Sequence, residues 1–263
     1  MTGRRLWLDS NGVLGVSGIL GAALLFEVLP RLLALPADVF PPLSDILAAL
    51  STEVDQVPFW VALLSTFEQW ALGLAIAVLG GAVAGAVIGS TPLLRRITSS
   101  TIEFLRPIPS VALVPLAVLL YGTQLRSALL LVVYASFWPV LVQTLHGAQD
   151  VDPVADETAR CFGLGRFARI RYVVWPTALP YLATGVRLAA SVALILAVTA
   201  ELLIGSPGLG REITAAQSGG VTALVYALIM VTGLLGLAVN VGLRSLERPL
   251  LAWHVSVRGE VAA

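Results

Sequence analysis

The chain has 263 residues, of which 57% are hydrophobic and only 12% charged, with a formal net charge of zero. Such an apolar balance excludes an ordinary soluble domain, and the absence of net positive charge removes the electrostatic basis for nucleic-acid binding. A single cysteine, Cys161, excludes an internal disulfide and a cysteine-rich metal site.

Runs of roughly 17–25 apolar residues recur, each long enough for a helix to cross a ~30 Å hydrocarbon layer. The fold class is therefore all-α, a polytopic membrane protein with about six transmembrane helices. The expected spans are Val13 to Leu29, Phe59 to Ser90, Pro107 to Tyr121, Ser127 to Leu145, Ala178 to Ile204 and Val221 to Leu243. Residues 1–12 form a tail, 13–245 the membrane domain, with an exposed loop at about 150–176, and 246–263 a second tail. The first span follows Arg4 and Arg5 in the manner of a signal peptide. It is longer than a typical signal core, and Glu27-Val28-Leu29-Pro30-Arg31 makes a poor cleavage context, so it is read as retained.

The second span carries Gly73, Ala77, Gly81, Gly85 and Gly89 at four-residue spacing. Small residues in one helical stripe let another backbone approach closely, either within the chain or in a second copy. The third span contains Pro107, Pro109 and Pro115, each lacking a backbone donor, and is expected to be kinked; Pro109, Pro115 and Tyr121 are candidate pathway residues.

Every one of the 16 basic residues is arginine, and their distribution orients the spans. Arg95, Arg96 and Arg106 follow the second span; Arg160, Arg166, Arg169 and Arg171 follow the fourth; Arg244, Arg248 and Arg258 follow the sixth. The alternate connections hold Arg31 among four carboxylates, Arg126 alone, and Arg211 beside Glu201 and Glu212. Both termini and the loop with Glu157 are thereby expected in the cytoplasm.

Four ionisable groups lie nearest the hydrocarbon: Glu27, Glu68, Arg187 and Glu201. Each is expected to pair, to reach the interface or to line water, because an unpaired charge there costs about 2.5–3.5 kcal/mol on insertion scales. Glu27 is placed at an outer boundary, and Glu68 is expected to meet Arg126 or Arg211. Arg187 is either a pathway cation or a snorkelling arginine, and Tyr121, Gln124, Tyr134 and Ser191 are candidates for a polar path. Two histidines, His146 and His254, make no metal cluster, and no nucleophile–base set stands out, so an enzyme is disfavoured and no cofactor is expected.

The segment between Asp156 and Pro180 departs from this apolar pattern. It reads Glu157-Thr158-Ala159, three residues, Gly163, nine residues, Val173, one residue, Trp175-Pro176. This resembles the EAA motif of permeases in bacterial ABC importers, with Thr158, Val173 and Trp175 as the departures. Arg106-Pro107-Ile108-Pro109-Ser110, Pro115-Leu116, Tyr121-Gly122, Gly185-Val186-Arg187-Leu188-Ala189, Ala200-Glu201-Leu202-Leu203-Ile204 and Gly208-Leu209-Gly210 are similar to blocks of the taurine, alkanesulfonate and nitrate permease subfamily. The ending from Leu243 to Leu250, with Trp253-His254, is similar to that of the aliphatic-sulfonate and taurine permeases.

The resemblance implies a permease of the type I importer fold. Its expected partners are cytoplasmic ABC ATPases, an extracytoplasmic binding protein, membrane lipid and a second permease copy. Asp156, Glu157, Thr158, Ala159, Gly163 and Arg166 would form the ATPase-coupling helix, driving alternating access for a small anion such as a sulfonate, taurine or nitrate. Arg187 and Glu201 then take structural or gating roles, with Ser191 near the path. No Gly-rich phosphate loop with lysine occurs, so the energy must come from a separate ATPase. A heterocyclic vitamin precursor as cargo, a six-span scaffold without transport and an ion-driven carrier are the alternatives. The last would usually show an ionisable constellation at mid-bilayer or inverted repeats, and neither is visible.

Overall fold

In hydrocarbon every backbone N–H and C=O must be satisfied within the protein, by helices or by a closed barrel, and apolar runs of roughly 17–25 residues select helix. The computed structural model describes residues 5–251, with side chains from Val13 onward. The tail residues 1–4 and 252–263, including Arg4, Trp253, His254 and Arg258, lie outside the described residues, as does the Arg5 side chain.

Eleven α-helices follow one another, with no strand among the described residues: α1 Arg5–Leu32, α2 Leu43–Val54, α3 Val57–Ser90, α4 Pro92–Leu105, α5 Val114–Tyr121, α6 Leu125–Gln149, α7 Pro153–Cys161, α8 Arg166–Arg169, α9 Trp175–Ile204, α10 Leu209–Ser218 and α11 Thr222–Leu250. Five helical stretches are long and apolar enough to cross a membrane: Val13–Leu32, Val57–Ser90, Leu125–Gln149, Arg166–Ile204 and Thr222–Leu250. A sixth span results if α4 and the segment Ser110–Tyr121 count together, although they meet at 82°.

That bend corrects the expectation of one kinked span from Pro107 to Tyr121. Pro107 and Pro109 cannot donate to a helical ladder, so α4 stops at Leu105 and a 3-10 turn, Ser110–Leu113, restarts the chain. Pro115 sits in the first turn of α5, where its missing N–H costs nothing, and starts a helix rather than kinking one. Arg95 and Arg96, expected in a connection, lie within α4, which Pro92 opens in the same way.

The helices form two compact units, Met1–Val61 with Glu212–Val231, and Ala62–Arg211 with Thr232–Ala263. In the first, Glu27 pairs with Arg31 at 2.6 Å and accepts from the Ser44 amide at 2.9 Å. Phe40 stacks on Phe26 and meets Tyr226 edge-on, while Thr222 donates to the Asp38 carbonyl at 2.7 Å.

The second unit is built on α3, α6 and α9, whose core includes Leu74, Leu131, Val132, Val140, Ala189, Ala193 and Ala197. The glycine stripe of α3 lies on α6. A Cβ at Gly81 would come within 2.9 Å of the Val140 Cβ, one at Gly85 within 2.6 Å of the Leu141 carbonyl oxygen, and one at Gly89 within 2.7 Å of the Ala148 Cβ. On the other side of α6, Gly147 is pressed against Ala178 of α9, and Gly185 of α9 against Pro139 and Gln143. Polar bonds add to this packing. Trp70 Nε1 donates to the Ala190 carbonyl at 2.9 Å, and Ser136 Oγ to the Ala189 carbonyl at 3.3 Å.

One end of this block is held by Glu201, which is wholly buried. Its carboxylate accepts from Thr66 Oγ1 at 3.0 Å, Gln69 Nε2 at 3.0 Å and the Gly210 amide at 2.9 Å. Thr66 Oγ1 in turn accepts from the Leu209 amide at 2.9 Å, and Gln69 donates to the Pro207 carbonyl at 2.6 Å. A Cβ on Gly208 would land on this carboxylate, so the turn after α9 can wrap it only with glycine there.

Two outcomes are expected. Gly85→Leu forces a side chain into the α6 backbone and lowers stability by roughly 1–3 kcal/mol or more; Gly15→Leu, with nothing within 4 Å, leaves it unchanged. Thermal melting of the detergent-purified permease, read by size-exclusion chromatography, compares them. In the same assay Glu201→Ala removes the acceptor shared by Thr66, Gln69 and the Gly210 amide and costs about 1–3 kcal/mol, with Glu201→Gln falling between it and the parent.

Candidate functional site

The motif loop folds into a capped helix. Pro153 occupies the first turn of α7, and the Asp152 side chain accepts from the Val154 amide at 2.8 Å, satisfying an otherwise orphaned donor. At the other end Gly163 adopts φ +76°. Its amide donates to the Arg160 carbonyl at 2.9 Å and the Leu164 amide to the Ala159 carbonyl at 3.0 Å, the paired bonds of a Schellman stop. Gly163 thus ends the helix; a Cβ there meets nothing within 4 Å, but the left-handed backbone disfavours one.

Asp156 and Glu157 face different ways. The Asp156 carboxylate takes a two-pronged bond from Arg169, from Nε at 2.7 Å and Nη2 at 2.8 Å, and a further bond from Arg160 at 2.8 Å. The Arg169 guanidinium holds the Asp156 carboxyl below its ordinary pKa, with Arg160 adding to the effect. Glu157 and Thr158 are exposed, Ala159 is buried against the loop, and Arg166 projects outward at the start of α8. Asp156 is therefore engaged inside the chain, leaving Glu157 as the acidic group of the outward face.

Sequence reasoning missed the apolar part of that face. Phe162 is 79% and Phe167 82% exposed, and Val154 joins them. The signal was present as two phenylalanines bracketing Gly163-Leu164-Gly165-Arg166 in a segment otherwise rich in charge.

From α8 the chain passes through a π-helical turn, Ile170–Val174, directly into α9. Pro176, in the first turn of α9, has no N–H for the ladder, and the wider turn before it absorbs the gap. Tyr181 Oη donates to Asp150 Oδ2 at 2.6 Å, fixing the start of α9 to the end of α6.

Of the other candidates, Tyr121 and Tyr134 line one groove and Gln124 borders a cleft with Glu68, whereas Pro109, Pro115, Arg187, Ser191 and Glu201 form no common site with them. Pro109 precedes the 3-10 turn, Pro115 starts α5 and Tyr121 ends it. Arg187 forms an ion pair with Glu247 of α11, and Ser191 Oγ bonds back to the Arg187 carbonyl at 3.3 Å. Glu201 lies about 21 Å further along α9 by helical rise, within the network described above. Among the described residues Glu68 pairs with neither Arg126 nor Arg211; it borders a cleft with Ser65, Gln69, Thr123, Gln124, Leu125 and Pro207. No group of three or more His, Cys, Asp or Glu suited to a metal occurs among the described residues.

Comparison with known proteins bears on the family and the fold. A family model described as the binding-protein-dependent transport system inner membrane component matches residues 76–251. The taurine transport system permease protein TauC of Escherichia coli (strain K12) is 33% identical over 223 residues, 83% of this chain and 81% of that protein. A putative aliphatic sulfonates transport permease protein SsuC of Bacillus subtilis (strain 168) is 32% identical over 189 residues, 72% of this chain and 68% of that one. In fold, a chain of the MetNI methionine ABC transporter, solved in inward-facing conformations, superposes with a TM-score of 0.61 at 17% identity, over 74% of this chain and 98% of its own length. The chain belongs to the binding-protein-dependent family of ABC importer transmembrane permeases, in the subfamily of taurine, aliphatic-sulfonate and nitrate permeases.

Proposed function

We propose that this permease carries a small anion of the sulfonate, taurine or nitrate type across the inner membrane, moved by ATPase subunits that dock on α7. An extracytoplasmic binding protein delivers the cargo, two copies of the chain enclose the path, and both termini face the cytoplasm with α7. The cargo class rests on the taurine and aliphatic-sulfonate relatives. The observation that carries the docking reading is the shape of the α7 tip: exposed Glu157 and the C-cap Phe162 on a helix capped at both ends, tied through Asp156 to α8, which adds exposed Phe167.

A short amphipathic helix seated in a groove of a partner uses its apolar anchors for affinity and its charge for register. A loose tip would absorb the partner's motion. This one is stiffened, because the Asp156–Arg169 bonds hold α7 to the stretch that continues into α9. Closure of the ATPase pair then turns α9 and, through the close α6 contacts, the rest of the block, shifting the assembly between inward-open and outward-open states. The permease supplies the path and the lever; ATP hydrolysis belongs to the partner.

Charge reversal by Glu157→Arg and the strained Gly163→Val are each expected to cut ATPase co-purification and cargo uptake by at least about 10-fold, the loss of roughly 1.4 kcal/mol. Intact assembly and uptake in both variants would remove the coupling role from α7. Asp156→Asn tests the tie. Because the folded pKa is lowered, the stabilisation from the Asp156 carboxylate is complete above the ordinary value of 3.8 and fades as pH falls below it. The melting temperature of the parent should exceed that of Asp156→Asn at every pH above 3.8, and the gap should close at lower pH. A gap that closed near neutrality would contradict the tie.

A further inference from the structure

Along α6, from its first turn inward, runs a groove of about 740 Å³ whose lining includes Tyr121, Arg126, Val133, Tyr134, Phe137 and Trp138. Its residues recur every three or four positions on α6, so the groove follows one helix face for about 18 Å of rise from Arg126 to Trp138. That length exceeds any single small anion and makes it a track.

Arg126 is the charged member. It is exposed and forms no ion pair among the described residues. It also stands in the first turn of α6, where the helix dipole disfavours a cation, and the N-cap residue Gln124 places no side-chain bond there. An arginine at this point works against the local helix. The same position gives an anion two favourable terms, a guanidinium and the positive end of a long helix. The walls beyond are uncharged, aliphatic at Leu129, Leu130 and Val133 and aromatic at Tyr134, Phe137 and Trp138. Tyr134 is occupied, its hydroxyl donating to the Leu105 carbonyl at 2.7 Å, whereas the buried Trp138 Nε1 has no acceptor.

We propose that this α5–α6 groove is a subsite for a small organic anion on its way through the permease, with Arg126 as the counter-charge at its mouth. The identity of the anion rests on the cargo reading above; the site itself does not. A single cation at one end followed by neutral walls suits transit, because the anion is attracted at the mouth and not trapped further along.

The test uses the full chain in phosphatidylcholine vesicles, with Cys161→Ser to silence the native thiol and Val133→Cys as the reporter. Labelling rates are compared for an anionic reagent, methanethiosulfonate ethylsulfonate, and a cationic one, methanethiosulfonate ethyltrimethylammonium. The anion-to-cation rate ratio should fall by at least about 5-fold on Arg126→Gln, survive Arg126→Lys and shrink at high salt. Methanesulfonate should slow the labelling. An unchanged ratio in Arg126→Gln, or no reaction with either reagent, overturns the proposal. Protection by added phosphatidylglycerol but not by methanesulfonate also overturns it, making Arg126 a lipid-headgroup anchor. If the ratio depends on Arg126 while the reconstituted transporter takes up no taurine, sulfonate or nitrate, the subsite stands and the cargo reading falls.

Discussion

The close approach of α6 to its two neighbours is the constraint on which the rest of this molecule depends. In lipid no hydrophobic gain separates helix–helix contact from helix–lipid contact, so association rests on packing and on buried polar bonds. Glycines at 81, 85 and 89 let α3 touch the backbone of α6, and Gly147 and Gly185 do the same for α9. At one end Glu201 gathers α3, the turn after α9 and the start of α10 around a single carboxylate. The result is a block whose helices cannot slide past one another without losing backbone contact.

A stiff block suits the proposed coupling, in which force crosses it. The tip of α7 is exposed, yet Asp156 joins it to Arg169 by a two-pronged bond, and the π turn carries the chain from there into α9 without a loop. In the proposed coupling, displacement of α7 becomes rotation of α9 and then of α6, since Tyr181 and Gly147 close that contact near the same end. Arg187 extends the linkage to α11 through Glu247. Within this unit, apolar side chains of α3 such as Leu79 and Val83 and of α11 such as Leu237 and Val241 remain exposed.

Much of this was legible in the sequence where the signal is local. The four-residue glycine repeat, the apolar lengths and the Glu157-to-Pro176 spacing are periodic or short-range, and α3, α6 and the capped α7 follow from them. The proline-rich stretch was legible as a break, but not as an 82° one, because proline shows which bonds are lost and not where the chain goes next. The partners of charged residues distant in sequence were not legible. Glu201 finds Thr66 and Gln69 more than 130 positions away, and Arg187 finds Glu247 at 60. Asp156 and Glu157 are adjacent and chemically alike, yet only the fold shows that one is engaged with Arg169 and the other is exposed.

The central claim is that α7 is the place where a separate ATPase seizes this chain. A photo-crosslinking side chain placed at Phe162 or Phe167, with Leu119 of α5 as a control, tests it in membranes containing the intact transporter. The account predicts ATPase adducts from both α7–α8 positions, changing in yield on ATP binding, and none from the control. ATPase adducts from Leu119 with none from Phe162 or Phe167 would contradict it.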